Sequence, residues 1–217
     1  MKVEFTLIAK GLPGAEGPVF DRKGNFFMVV PWEGRIVKVT EEGEVSDVAN
    51  TGGVPAGLQC DKEDNLWVAD MKLGVFKVTP VGELEHTVAA YQGKPIRGCN
   101  DCAFDSHGNL YLTAPAGSGI DQPVGELYCL RQDRRLVWLD GGFRFCNGVA
   151  ITEDDTKLIV AETYAKMLWT YDIEAAGVVG NKRPWAATPG DHHGGPDGMD
   201  FDDAGNLLVA DYGGSAI

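Results

Sequence analysis

The chain has 217 residues and a net charge of −13, with 19 Lys and Arg against 32 Asp and Glu. A surface this acidic repels nucleic-acid phosphate and suits cations, and no segment reaches the roughly 20 apolar residues of a membrane helix. Hydrophobic residues at 44% and 29 glycines spread along the chain describe one soluble domain over 1–217 with many turns.

At the N-terminus, Met1–Phe5 lacks the basic and apolar regions of a signal peptide. The run Val3–Ala9 reads as a strand set ahead of the first repeat. Five scattered cysteines (Cys60, Cys99, Cys102, Cys129 and Cys146) point to reduced thiols and a cytoplasmic location. Cys99-Asn100-Asp101-Cys102 has CxxC spacing, but no second Cys/His pair accompanies it. It reads as two small buried residues around a functional pair.

A repeat organises everything after residue 14. Its five copies begin Ala15-Glu16-Gly17-Pro18, Pro55-Ala56-Gly57-Leu58, Cys99-Asn100-Asp101-Cys102, Cys146-Asn147-Gly148-Val149 and Pro196-Asp197-Gly198-Met199. The second residues stand at 16, 56, 100, 147 and 197, in steps of 40, 44, 47 and 50. That period matches a four-stranded propeller blade of about 40–50 residues. Four copies run into an Asp-x-x-Gly-Asn or Asp-x-x-Asp-Asn turn, the chemistry of a hairpin. A second β-rich run follows each: Phe26–Val30, Leu66–Ala69, Leu110–Thr113, Leu158–Ala161 and Leu207–Ala210. Alternating segments such as Arg35–Val39 and Val75–Val78 then read as half-buried outer strands, and Trp67, Trp138, Trp169 and Trp185 as packing between blades. The expectation is an all-β propeller whose first strands line a central channel. Four blades are complete, and a fifth begins at Pro196 before the sequence stops at Ile217. The C-terminal part that would close the ring is therefore expected to be missing, since a propeller left open exposes long strand edges.

Equivalent positions on innermost strands face one axis. Here they carry Glu16, Ala56, Asn100, Asn147 and Asp197, four of the five bearing side-chain oxygen. With no Cys or His in the ring, zinc and copper are disfavoured. Calcium takes about 6–8 oxygen ligands, so four protein donors leave positions open for water or substrate. Two carboxylates balance the dication. The competing reading is that these Asn and Asp side chains cap turns.

The segments around these residues, together with Val68-Ala69-Asp70-Met71, Ala114-Pro115-Ala116-Gly117 and Ile159-Val160-Ala161-Glu162-Thr163, resemble the SMP-30/gluconolactonase/luciferin-regenerating enzyme family, and within it the diisopropylfluorophosphatase-like members. The resemblance implies a six-bladed propeller with a catalytic calcium and hydrolysis of P–F or P–O bonds or of lactone esters. It puts the calcium ligands on Glu16, Asn100, Asn147 and Asp197, the set already marked by the register. It puts one ligand of a second metal site on Asp200, and a substrate pocket on Val54, Met71, Phe145, Thr163 and Tyr212. The loop between Pro115 and Gly125 is short for that group, and Tyr212 stands where its members carry tryptophan.

Calcium acidifies water less than zinc does, so a carboxylate must assist. Asp197 is the candidate nucleophile or base, with Glu16 beside it chiefly holding the metal. His192-His193 reads as a proton shuttle or as two solvated loop residues, and Asp101 as a support behind the ligands or as a turn residue. A phosphotriesterase or lactonase acting as a monomer on a small molecule is one function class. A non-catalytic calcium-binding propeller or inactive fragment is the other.

Overall fold

The computed structural model describes residues 6–189 and 194–217. Four antiparallel four-stranded sheets follow one another along the chain, each in simple meander order. The first contains β1 (Glu16–Phe20), β2 (Phe26–Val30), β3 (Arg35–Val39) and β4 (Val45–Asn50). The second contains β5 (Pro55–Cys60), β6 (Leu66–Asp70), β7 (Gly74–Val78) and β8 (Leu84–Val88). A short hairpin, β9 (Ala90–Tyr91) and β10 (Lys94–Pro95), leads to the third sheet, formed by β11 (Cys102–Phe104), β12 (Leu110–Ala114), β13 (Gly125–Leu130) and β14 (Leu136–Phe143). The fourth holds β15 (Cys146–Ile151), β16 (Lys157–Glu162), β17 (Met167–Ala175) and β18 (Val178–Ala187), and a hairpin of β19 (Pro196–Phe201) and β20 (Leu207–Asp211) ends the chain. Among the described residues no helix is long and apolar enough to cross a membrane.

The core lies between sheets, and strand alternation explains how. In β12, Leu110 and Leu112 pack toward the second sheet with Trp67, Ala69 and Val75, while Tyr111 packs toward the fourth with Val149, Leu158 and Val160. Successive side chains of a strand point to opposite faces, and here both faces are covered. The same split divides β6, where Leu66 and Val68 face the first sheet and Trp67 and Ala69 the third. In β16, Leu158 and Val160 face the third sheet, and Ile159 and Ala161 face β19–β20. This is why the second strand of each sheet reads as a continuous apolar run rather than as an alternation.

First strands neighbour first strands, with β1 beside β5, β5 beside β11, β11 beside β15 and β15 beside β19. The hairpin turns are also tied sheet to sheet: Arg22 donates to Lys62 O at 2.8 Å, Lys62 to Ser106 O, and Ser106 to Asp155.

Three expectations need correction. Arg35–Val39 and Val75–Val78 are third strands, largely buried, because β4 and β8 cover them as the outer strands. Trp138 and Trp185 are 44% and 50% exposed, so only Trp67 and Trp169 pack into the cores. The described part of the N-terminal run, Thr6–Ala9, belongs to no strand.

Candidate functional site

The chain builds the site by repeating one local device. Glu16 opens β1, while Ala56, Asn147 and Asp197 are the second residues of β5, β15 and β19, and Asn100 stands two residues before β11. Where these strands pair with their neighbours the register slips: between Glu16 and Val19, Pro55 and Gly57, Cys146 and Val149, and Pro196 and Met199. Such a bulge re-aims a side chain out of the regular alternation. Glycine then permits the next first strand to come close. A Cβ on Gly57 would lie 2.6 Å from Asn100 O, and one on Gly148 would collide with Asp197 O.

Glu16, Ala56, Asn100, Asn147 and Asp197 all line one cavity of about 400 Å³, with Asp101 and Asp200 on the same wall. Asn147 is the best anchored. Its Nδ2 donates to Thr163 Oγ1 at 3.2 Å, Thr163 Oγ1 donates to Pro196 O at 2.8 Å, and Thr113 Oγ1 donates to Asn147 O at 2.6 Å. With its nitrogen committed, the carboxamide oxygen is the atom left to accept or coordinate.

Asp101 occupies the place that glycine holds in the other four copies, and its carboxylate is put to use there. Oδ1 accepts from Cys102 N at 2.8 Å and Oδ2 from Val149 N at 3.0 Å, on the next sheet. It is thus a brace between β11 and β15, rather than a turn residue.

The acids crowd one another. Loss of solvent, then the Asp197 and Asp101 carboxylates, push Glu16 up to about 7, although by surface area the residue is exposed. Desolvation likewise lifts Asp101 to about 7, against the lowering effect of its bonds from Val149 and Cys102. Burial raises Asp197 too, opposed by its hydrogen bonds with Asn147 and Gly198. A dication among these groups would relieve the shared cost of ionisation. Oxygen donors alone, two carboxylates and two carboxamides, fit a hard cation such as calcium. Among the described residues no three His, Cys, Asp or Glu side chains form a metal-holding cluster; the set here reaches four donors only by counting amides.

The pocket residues suggested by resemblance are not brought into this cavity. Val54, Met71, Phe145, Thr163 and Tyr212 are absent from its lining. Thr163 is buried behind Asn147 as its hydrogen-bond partner. Phe145 has φ of 69°, a strained value for an aromatic residue, with its N–H donating to Ser118 Oγ at 3.1 Å. Met71 N–H donates to Val54 O at 2.8 Å, which ties the chain just before β5 to the chain just after β6. Tyr212 is 76% exposed. Asp200 is exposed and accepts from Phe201 N at 2.8 Å. His192 and His193 lie outside the described residues. The five cysteines are free, and burial pushes Cys99 and Cys102 far above the ordinary thiol range, which leaves them inert.

Sequence reading missed the buried acids that end the second strands. Asp70 accepts from Thr51 Oγ1 at 2.7 Å and from the N–H groups of Val54, Lys72 and Leu73. Glu162 accepts from Arg144 N at 2.6 Å and Trp169 Nε1 at 2.7 Å. Both tie down the connectors from which first strands start. The recurrence of Val-Ala-Asp, Val-Ala-Glu and Val-Ala-Asp at 68–70, 160–162 and 209–211 was the available signal.

Residues 14–217 match the family model described as SMP-30/Gluconolactonase/LRE-like region. Diisopropyl-fluorophosphatase of Loligo vulgaris is 41% identical over 240 aligned positions, covering 98% of this chain and 76% of that enzyme. Gluconolactonase of Zymomonas mobilis is 28% identical, over 97% of this chain and 68% of its own length. Among solved structures, the calcium-binding protein regucalcin of Agrobacterium tumefaciens superposes with a TM-score of 0.75 at 18% identity, over 90% of this chain and 66% of that one, which carries the fold. On these matches the chain belongs to the SMP-30/gluconolactonase/LRE-like family, whose named relatives here are hydrolytic enzymes.

Proposed function

We propose that Glu16, Asn100, Asn147 and Asp197 hold a calcium ion and that the protein hydrolyses a small lactone ester or phosphotriester beside it. One observation carries this reading. Equivalent repeat positions at the start of successive first strands meet in one cavity, and four of the five offer oxygen. The names of the Loligo vulgaris and Zymomonas mobilis relatives, a fluorophosphatase and a gluconolactonase, support these two substrate classes.

When bound, calcium would polarise the carbonyl or phosphoryl oxygen and orient the substrate. The chain's own residues do the rest. Asn147, locked through Thr163, gives a fixed oxygen that spends no free energy on reorientation. Asp197 serves as nucleophile toward the acyl or phosphoryl centre, or as base toward a water, while Glu16 keeps the pocket's charge balanced. Asp101 braces the ligand-bearing segments from behind.

Asp197→Asn is expected to lower turnover of lactones and fluorophosphates by at least a hundredfold with an unchanged circular dichroism spectrum, and chelation of calcium to do the same to the wild type. A variant with full activity, or a wild type indifferent to chelator, would refute the assignment. Single turnover in oxygen-18 water tests the first role, since label found in Asp197 requires that it attacked.

A further inference from the structure

Two arginines share one repeat position just ahead of the candidate ligands, and they go beyond the hydrolytic reading while resting on it. Arg97 stands three residues before Asn100, and Arg144 three residues before Asn147. The other copies have Pro13, Gly53 and Gly194 there. Because first strands β11 and β15 are neighbours, the two arginines flank one stretch of the same rim. Both reach the loop between them: Arg97 Nη1 donates to Ala116 O at 3.3 Å, and Arg144 Nε donates to Ile120 O at 3.1 Å.

Holding that loop uses a single N–H of each guanidinium. Arg97 Nε also faces Glu126 Oε2 at 3.5 Å, and its side chain stays 41% exposed. Arg144 is exposed, and among the described residues no carboxylate lies within ion-pair distance of it. Its charge is thus uncompensated among the described residues, in a chain with 32 acids and 19 Lys and Arg. Three residues of extended chain span at most about 10–11 Å, so the Cα of each arginine lies within that distance of the Cα of its candidate ligand.

We infer that the natural substrate carries a carboxylate away from its scissile bond, and that Arg144, with Arg97, binds it. The planar guanidinium fork matches a carboxylate's two oxygens and stays charged at every working pH. With a dication held, the carboxylates of Glu16 and Asp197 would balance its charge, so the centre would offer an anion no net pull. Selection for charge must therefore come from the rim. Neutral phosphotriesters and unsubstituted lactones become the poorer substrates.

The test compares a five-membered lactone bearing a carboxylate with the same lactone bearing a carboxamide, on the calcium-loaded full chain. The expected result is a wild-type kcat/KM ratio favouring the carboxylate by roughly tenfold to a hundredfold, the range of charge-assisted hydrogen bonds. That ratio should shrink with added salt, fall toward one in Arg144→Gln and in Arg97→Gln, and be partly kept in Arg144→Lys. A purely structural arginine would move both substrates together and leave the ratio alone. Equal wild-type rates on the two lactones, or a preference untouched in the double Gln variant, overturns the inference. Calorimetry with the corresponding lactam carboxylate and lactam carboxamide keeps the question separate from catalysis. If neither lactone is turned over, the hydrolytic proposal fails, yet selective binding of the carboxylate lactam that is lost in Arg144→Gln would still support the rim's role, and its absence would refute it.

Discussion

Gly57→Ala puts a single methyl group into the closest approach between two first strands. The new Cβ would lie 2.6 Å from Asn100 O, 2.7 Å from Asp101 Oδ1 and 2.8 Å from Asp101 Cα. Ordinary contacts start near 3.4 Å, so about 0.6–0.8 Å must be absorbed by the backbone that bears a candidate ligand and its brace. Overpacking of this kind costs about 1–3 kcal/mol. For a domain of this size each kcal/mol lowers Tm by about 2–4 °C, giving an expected drop of about 2–12 °C. The control occupies the same repeat position. Gly198 has nothing within 4 Å of its ideal Cβ, so Gly198→Ala should stay within about 0.5 kcal/mol of the wild type. Thermal unfolding followed by circular dichroism measures both. Calcium titration should show weaker binding in Gly57→Ala, since Asn100 moves with its carbonyl. Equal Tm values for the two variants would refute the claim that close strand approach is what the repeat's glycine permits.

Asp101→Asn keeps shape but sets an NH2 group against one of two N–H donors, from Cys102 or Val149. Leaving a buried donor unpaired costs about 1–3 kcal/mol; chemical denaturation should show that loss, together with weakened calcium binding. Acid unfolding probes the hairpin turns. Asp61 loses solvent, but bonds from Trp67 Nε1–H and Asn65 outweigh that and hold its carboxyl below the ordinary value of 3.8. A folded carboxyl below its unfolded value stabilises the protein above the unfolded value, and that stability is lost as pH falls through the folded one. Trp67→Phe removes the 2.8 Å bond, so its acid unfolding midpoint should rise. An unchanged midpoint would mean that the bond does not set the turn's acidity.

Much of the fold was legible because each repeat states its own instructions. At four of the five turn starts an Asp accepts from the Asn four residues on, namely Asp21, Asp61, Asp105 and Asp202. The apolar runs of β6, β12 and β16 identify strands covered on both faces. Outer strands were less legible. β8 and β18 carry mostly exposed residues, and their pairing, rather than burial, makes them strands. That is why the third strands read from sequence as the outermost ones.

The candidate ligands were legible for the same reason that the rim was not. A ligand position recurs on a fixed register, so Glu16, Asn100, Asn147 and Asp197 could be aligned without any knowledge of contacts. What surrounds them depends on connectors of unequal length, where the register no longer applies. Thr163 pins Asn147 from the end of another strand, and Asp101 reaches across to Val149, 48 residues away. Such partners are found only when the sheets are packed. The arginines show the middle case. Arg97 and Arg144 share a register position that the repeat makes visible, but their common loop, 115–124, is an irregular connector between β12 and β13 that the register does not predict. The repeat therefore specifies the chemistry at the axis, and the irregular connectors decide which substrate reaches it. Variation in this family should accordingly fall at positions 97, 116–120 and 144 when substrate charge changes, while the bulged residues and the glycines beside them stay as they are.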